Sequence, residues 1–222
     1  MARVSRERFG TPSRLDDCRR AGDDGAELFV VEGESAAAAV ARVRDADFQA
    51  VLPMQGKPLN ATRATRAKLL AHPLFGPLVD AVGTGIEPDY RATSLRYGRI
   101  LLLMDPDADG IHCGVLLLLF FRRWMPHLIA AGRIGIVRPP WGEVTVDGRV
   151  HRGLSDAELT ALADRAGATG PVAVRRYRGL AAIDADVIRE TCVAPATRRV
   201  SGVTPAEVAA MVEFLDGLGP EA

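Results

Sequence analysis

Three carboxylates stand at alternate positions in Asp105-Pro106-Asp107-Ala108-Asp109-Gly110, directly after the apolar run Ile100-Leu101-Leu102-Leu103-Met104. Close carboxylates repel, and a divalent cation is the simplest agent that holds them together ionised. Hard cations such as Mg²⁺ take oxygen ligands, commonly one or two carboxylates with water or a substrate phosphate. Standing alone, such a stretch is a polar turn in which Asp107 or Asp109 starts the next helix. It also resembles the opening of an EF-hand loop, but the twelfth residue from Asp105 is Leu116, where that motif needs Glu. A second acidic element upstream strengthens the metal reading. Leu28-Phe29-Val30-Val31-Glu32-Gly33 is a short apolar strand ending in an acid and a glycine turn.

Both elements need strands to position them. A short, continuous apolar run bounded by turn residues reads as a buried parallel strand. In open α/β sheets ligands bind outside the carboxyl ends of such strands. Glu32 and Asp105 then occupy equivalent places, and neighbouring strand tips lie roughly 5 Å apart. Phe48–Pro53 and Arg133–Arg138 read as two more strands. Helices are expected over Ala36–Arg44, capped by Ser35 or Glu34, and over Thr62–His72 and Pro73–Val82. Ile111–Ala131 reads as a buried helix that Pro126 kinks or divides. This alternation implies an α/β fold, a parallel sheet with helices on both faces. After Pro140 the pattern changes. A hairpin turns at Asp147-Gly148, and Ser155 with Glu158 has capping-box spacing at the start of a helix over Ser155–Ala166. A strand over Val172–Tyr177 and helices over Asp184–Val193 and Pro205–Leu215 complete a small α+β appendage. The expected division is a polar segment or linker at 1–26, the α/β domain at 27–140 and the appendage at 141–222.

The chain has 222 residues, 48% hydrophobic and 25% charged, with zero formal net charge, so no global field draws it to nucleic acid. Cys18, Cys113 and Cys192 are scattered without a C-x-x-C pair, which argues against a disulfide framework or a zinc site. No secretory signal is evident, and the longest apolar run, Val115–Phe121, is too short to span a bilayer. A cytoplasmic, membrane-free protein is expected. Lys57, in a glycine-containing loop, is either a phosphate contact or an ordinary exposed lysine. His112, beside the acidic loop, either reaches phosphate or carboxylate or is a satisfied buried histidine. Arg175, Arg176 and Arg178 would meet a nucleic-acid backbone or form a solvated face.

Glu32-Gly33-Glu34-Ser35-Ala36 and Asp105-Pro106-Asp107-Ala108-Asp109-Gly110 together resemble the Toprim domain of topoisomerases, bacterial primases and related nucleases. The likeness is closer to the B-type chain of bacterial type IIA topoisomerases such as DNA gyrase. It is carried by Pro12–Cys18, Gln49–Pro53 with Gly56-Lys57 and Leu59-Asn60, and Leu95-Arg96-Tyr97. Leu116–Phe121, Arg138-Pro139-Pro140, Arg176–Leu180, Glu190-Thr191 and Arg198-Arg199 continue it, in order over about residues 11–200. The resemblance implies that Glu32 is the general acid/base near the 3′ oxygen of the broken strand. It implies that Asp105 and Asp107, with Asp109 assisting and Glu32 beside them, hold Mg²⁺. It places Lys57, His112 and Arg178 near DNA or the fold core, as candidate DNA contacts. The implied partners are DNA, an A-type subunit carrying the strand-cutting tyrosine, and a separate ATPase subunit, at the nucleoid. No ATP-binding motif is found, since the glycine-rich pieces do not fit a P-loop. The chain departs from the family at Glu34, Ala37-Ala38, Met104, Pro106, Gly114 and Ala181-Ala182. The family usually has Asp, Gly-Gly, Thr, Ala, Arg and Gly-Glu there. Those departures motivate an alternative: a catalytically weakened Toprim protein that docks to DNA or to a topoisomerase as a regulatory module. A metal-dependent nuclease or primase of the wider superfamily ranks third.

Overall fold

The computed structural model describes residues 14–167 and 172–217. Residues 1–13 of the expected N-terminal segment, and 168–171 and 218–222 of the expected appendage, lie outside the described residues. Elements are numbered in chain order. Strands β1 (Glu27–Glu32), β2 (Gln49–Met54), β3 (Arg99–Leu103) and β4 (Ile134–Val137) run parallel in the order β2-β1-β3-β4. The two acid-bearing strands are therefore immediate neighbours at the centre of the sheet. Side chains alternate between faces along a strand. Leu28, Val30, Ile100 and Leu102 enter one core, whereas Phe29, Val31, Leu101 and Leu103 enter the other. Because both faces are covered, the interiors of these strands are apolar rather than alternating with polar residues.

Helix α1 (Gly33–Ala41) packs on the second face. It starts at Gly33 rather than Ala36, with Glu32 in the capping position, and neither Ser35 nor Glu34 caps it. Glu34 is drawn away instead, accepting from Arg14 at 2.7 Å and Gln55 at 3.1 Å. Helices α2 (Arg66–Leu70), capped by the Thr65 side chain, and α3 (Phe75–Val82) are shorter than expected. The long apolar helix divides at Pro126 into α4 (Ala108–Trp124) and α5 (Pro126–Ala130). Phe75 of α3 stacks on Phe120 of α4 at 4.6 Å between ring centroids. Burying each such phenylalanine contributes about 1.5–3 kcal/mol.

A second, antiparallel sheet of β5 (Gly142–Val146), β6 (Arg149–Gly153) and β7 (Val172–Arg176) follows, in the order β6-β5-β7. Its hairpin turns at Asp147 and Gly148, both with positive φ, as a two-residue turn requires. Helix α6 (Asp156–Gly167) starts with Ser155 Oγ accepting from the Glu158 amide at 3.2 Å, while the Glu158 carboxylate accepts from the Leu154 amide at 2.7 Å. The next helix is split into α7 (Ala185–Ile188) and a π-helical turn over Arg189–Val193. Strand β8 (Val200–Gly202) has no counterpart among the expected elements. It pairs antiparallel with β4 and becomes the fifth strand of the main sheet, before α8 (Pro205–Gly217). Three residues, Val-Ser-Gly, carry too little apolar pattern to announce a strand.

The described part of the N-terminal segment is docked rather than loose. Asp16 and Val51 exchange backbone hydrogen bonds at 2.9 Å each, which covers the free edge of β2. Asp17 accepts from Tyr97 Oη at 2.6 Å and from Arg96, and Cys18 is buried.

Candidate functional site

The carboxyl ends of β1 and β3 bring the acids together. Glu32 ends β1, in register with Met54 of β2, and the chain turns at once through Gly33 at φ +79°. That left-handed turn directs α1 away and leaves the carboxylate at the rim. Glu32 is half-buried, and its Oε2 is buried with no hydrogen-bond partner among the described residues. Burial first, then the charges of Asp105, Asp107 and Asp109, push its carboxyl above the usual range, and the Asp105 backbone amide pulls it part of the way back. All three aspartates therefore lie within electrostatic reach of Glu32.

Each aspartate has a different setting. Asp105 follows β3 and is half-buried. Its Oδ1 accepts from the Leu180 amide at 2.8 Å, and burial raises its carboxyl despite that bond. Two glycines make room for it. A Cβ at Gly179, where φ is +115°, would lie 2.7 Å from Asp105 Oδ2, and one at Gly110 would lie 2.1 Å from the Asp105 carbonyl oxygen. Asp107 caps α4, accepting from the Gly110 amide at 2.8 Å. Asp109 sits one residue into that helix, exposed, with Lys57 Nζ at 2.8 Å. Lys57 holds the Asp109 carboxyl below the usual range, and His112 adds to the effect.

The expected residues thus divide. Glu32 and the three aspartates share one rim, and Lys57 and His112 join them through Asp109. His112 is exposed, not a satisfied buried histidine. Arg178 is exposed and immediately precedes the Gly179-Leu180 turn that packs on Asp105. The other two arginines of that cluster are neutralised. Arg175 pairs with Asp184 at 2.7 Å, and Arg176 pairs with Asp156 at 2.7 Å. Sequence reasoning missed the Leu180 amide, because nothing local ties it to a residue so far upstream. It also missed Cys113, one helical turn beyond Asp109. Cys113 lines a cavity of about 220 Å³ with Glu32, Gly33, Met54, Gly56, Lys57 and Asp109. Burial and the nearby Glu32 charge push its thiol up to about 11, so it is an inert wall, not a nucleophile.

Among the described residues, no three His, Cys, Asp or Glu side chains converge closely enough to hold a metal ion as they stand. Each aspartate has another partner: Lys57 for Asp109, the Gly110 amide for Asp107 and the Leu180 amide for Asp105. In kind, the donor set fits a hard divalent cation. It is all oxygen and mutually repelling, and it includes a buried carboxylate oxygen without a partner. Among the described residues no helix is long and apolar enough to cross a membrane.

Comparison with known proteins identifies the family. The chain is 34% identical over 196 residues to the DNA gyrase B subunit of Treponema denticola, covering 88% of this chain and 31% of that protein. It is 37% identical over 193 residues to the DNA gyrase B subunit of Thermotoga maritima, covering 87% and 30%. It is 36% identical over 214 residues to the DNA topoisomerase 4 B subunit of Caulobacter vibrioides, covering 95% and 31%. The chain thus spans about three tenths of the length of these relatives. The family model for the Toprim domain matches residues 27–139, from the first residue of β1 to the loop after β4. That segment contains the whole parallel part of the sheet and all four rim acids, and the chain belongs to the Toprim domain family.

Proposed function

We propose that this chain is the Mg²⁺-dependent DNA cleavage and religation module of a type II topoisomerase, working with an A-type subunit that carries the strand-cutting tyrosine. One observation carries the reading: a half-buried glutamate with an orphaned oxygen ends one strand within electrostatic reach of three aspartates that follow the adjacent strand. Stability does not call for such an arrangement, since mutually repelling carboxylates and a buried acceptor without a partner both work against the folded state. Carboxyls perturbed by burial and by one another at a sheet's carboxyl rim are candidates for a functional site.

Glu32 is the proton carrier in this proposal. Its raised affinity for a proton, set by burial and the aspartates, brings it closer to neutral pH than a free glutamate, as general acid/base work requires. Asp105, Asp107 and Asp109 would hold the cation, with Glu32 beside it. When bound, the ion supplies charge stabilisation at the scissile phosphate and the leaving oxygen. The Leu180 amide donates to the Asp105 carboxylate and Gly179 approaches it closely, so the segment after β7 helps to position it. Lys57, His112 and Arg178 ring the acids and would contact the DNA backbone. On this reading residues 27–140 are the catalytic unit, 141–222 its tail, and the protein works at the nucleoid with a separate ATPase subunit.

The second reading, a weakened module that docks without cutting, is favoured by the Lys57–Asp109 ion pair and by Gly114, where the resemblance leads one to expect Arg. One experiment separates the two. The chain is combined with an A-type subunit and supercoiled plasmid, and cleavage is measured with and without Mg²⁺. Cleavage that needs Mg²⁺ and falls about 10²–10⁴-fold in Glu32→Ala supports the catalytic role. Capture of the A-type subunit without any cleavage supports the docking role and rejects the first.

A further inference from the structure

The carboxyl rim of the sheet continues past the acids. Arg138 follows the last residue of β4, and Arg199 precedes the first residue of β8. Val137 and Val200 are paired antiparallel, so the two arginines leave the sheet side by side at the rim that carries Asp105. One and two strand spacings, roughly 5 and 10 Å, separate them from β3. Both are exposed, and neither has an ion pair among the described residues. They line a concavity of about 470 Å³ together with Arg152, Glu190, Thr191, Thr197 and Ser201.

The polar groups of this concavity are not equivalent. Arg152 is held by Glu190 at 3.0 Å, and its Nε is buried without a hydrogen-bond partner. Thr191 Oγ1 already donates to the Val187 carbonyl at 2.7 Å, and Thr197 Oγ1 to the Glu190 carbonyl at 2.6 Å. The donors left to a ligand are the guanidiniums of Arg138 and Arg199 and the Ser201 hydroxyl, since Arg152 Nε is buried and faces Glu143 at 4.0 Å. With three arginines against one carboxylate, the lining carries a formal surplus of two positive charges. Planar guanidiniums with free forks suit the oxygens of a phosphate. The concavity is also continuous with a groove of about 340 Å³. The two share Ile136, Arg138 and Leu154, and the groove reaches Asp105 and Pro106.

We infer that Arg138 and Arg199, with Ser201, hold a phosphate of the nucleic-acid strand that leads away from the acid site, towards the edge of the sheet opposite Lys57. This rests on the DNA reading above and adds a phosphate contact that the acids do not provide. In a chain of zero net charge, such local clusters decide where a strand lies.

The test is binding of a labelled duplex oligonucleotide to the full chain by fluorescence anisotropy, over a range of salt concentrations, in EDTA. Each phosphate contact contributes about 0.9 to the slope of log K against log salt. Arg138→Gln with Arg199→Gln removes that one contact and is expected to lower the magnitude of the slope by about 0.9 and to weaken binding at low salt. The double lysine variant should retain the slope, and Arg165→Gln, on the exposed side of α6, should leave both unchanged. A slope in the glutamine double variant equal to wild type overturns the inference. So does a loss equalled by Arg165→Gln, or an absence of duplex binding by the wild type. Plasmid cleavage separates this from the catalytic reading. Intact Mg²⁺-dependent cleavage with an unchanged slope defeats the arginine site alone. A lowered slope without cleavage defeats the catalytic reading alone.

Discussion

Strand β1 carries a glutamate at each end, and the two have opposite fates. Glu27, at the amino end, is 5% exposed and fully matched. Its oxygens accept from both terminal nitrogens of Arg198 and from Gln49 Nε2 at 2.9 Å, and Arg198 and Gln49 also donate to the Val193 carbonyl at 2.7 and 3.0 Å. Glu32, at the carboxyl end, feels the charge of three more carboxylates and keeps a buried oxygen without a hydrogen-bond partner among the described residues. A buried ion pair is tolerated when every charge is answered, and breaking one is costly. Burial alone therefore does not distinguish a structural acid from a functional one. What distinguishes them is whether the fold brings a cation to it.

The comparison breaks most sharply at Arg198. Replacing it by Ala leaves Glu27 charged and buried, and urea or guanidinium titration should show a loss of about 3–5 kcal/mol. Replacing both partners with apolar residues, Glu27→Leu with Arg198→Met, should cost far less. An Arg198→Ala variant as stable as wild type would remove the contrast.

At the other end the sign reverses. Burial and the aspartates lift Glu32 above its ordinary 4.5, and burial lifts Asp105 above 3.8. A carboxyl that binds its proton more tightly when folded stabilises the fold while protonated. That contribution is complete below those ordinary values and is lost as pH rises through the raised ones. In EDTA, Glu32→Gln should therefore match wild type near about pH 4 and exceed its stability modestly at pH 7. Denaturant midpoints at the two pH values check this, and Mg²⁺ should stabilise wild type more than the variant. A variant less stable than wild type at pH 7 would make Glu32 a structural acid like Glu27.

The smallest effect is expected at Lys57. Its pair with Asp109 is exposed on both sides, 52% and 73%, so Lys57→Ala should leave stability unchanged. It should release Asp109, raise that carboxyl from its depressed position, and tighten Mg²⁺ binding a few-fold by calorimetry. Weaker Mg²⁺ binding without DNA present would show that the lysine orders the site instead of competing for it.

Much of this molecule was legible because the relevant signals are local. The apolar runs of β1 and β3, the acid that ends each, the division at Pro126, the Asp147-Gly148 turn and the Ser155–Glu158 cap all lie within a few residues of what they determine. The Glu34 and Ser35 cap failed because the helix begins at Gly33, which places both residues inside its first turn, and Glu34 pairs with Arg14. The arginine cluster at 175–178 read as one basic patch, but Asp156 and Asp184 leave only Arg178 free of an ion pair among the described residues.

By itself, then, the sequence determined the α/β class, the two acid-tipped strands and their turns, since periodicity and turn chemistry act over short separations. Only the tertiary structure decided that β8 joins the main sheet, that Arg198 closes Glu27 from 171 positions away, and that the Leu180 amide grips Asp105 across 75. Those contacts carry no local signature, because their energy comes from burying charge and filling edges between segments that meet only after the chain has folded.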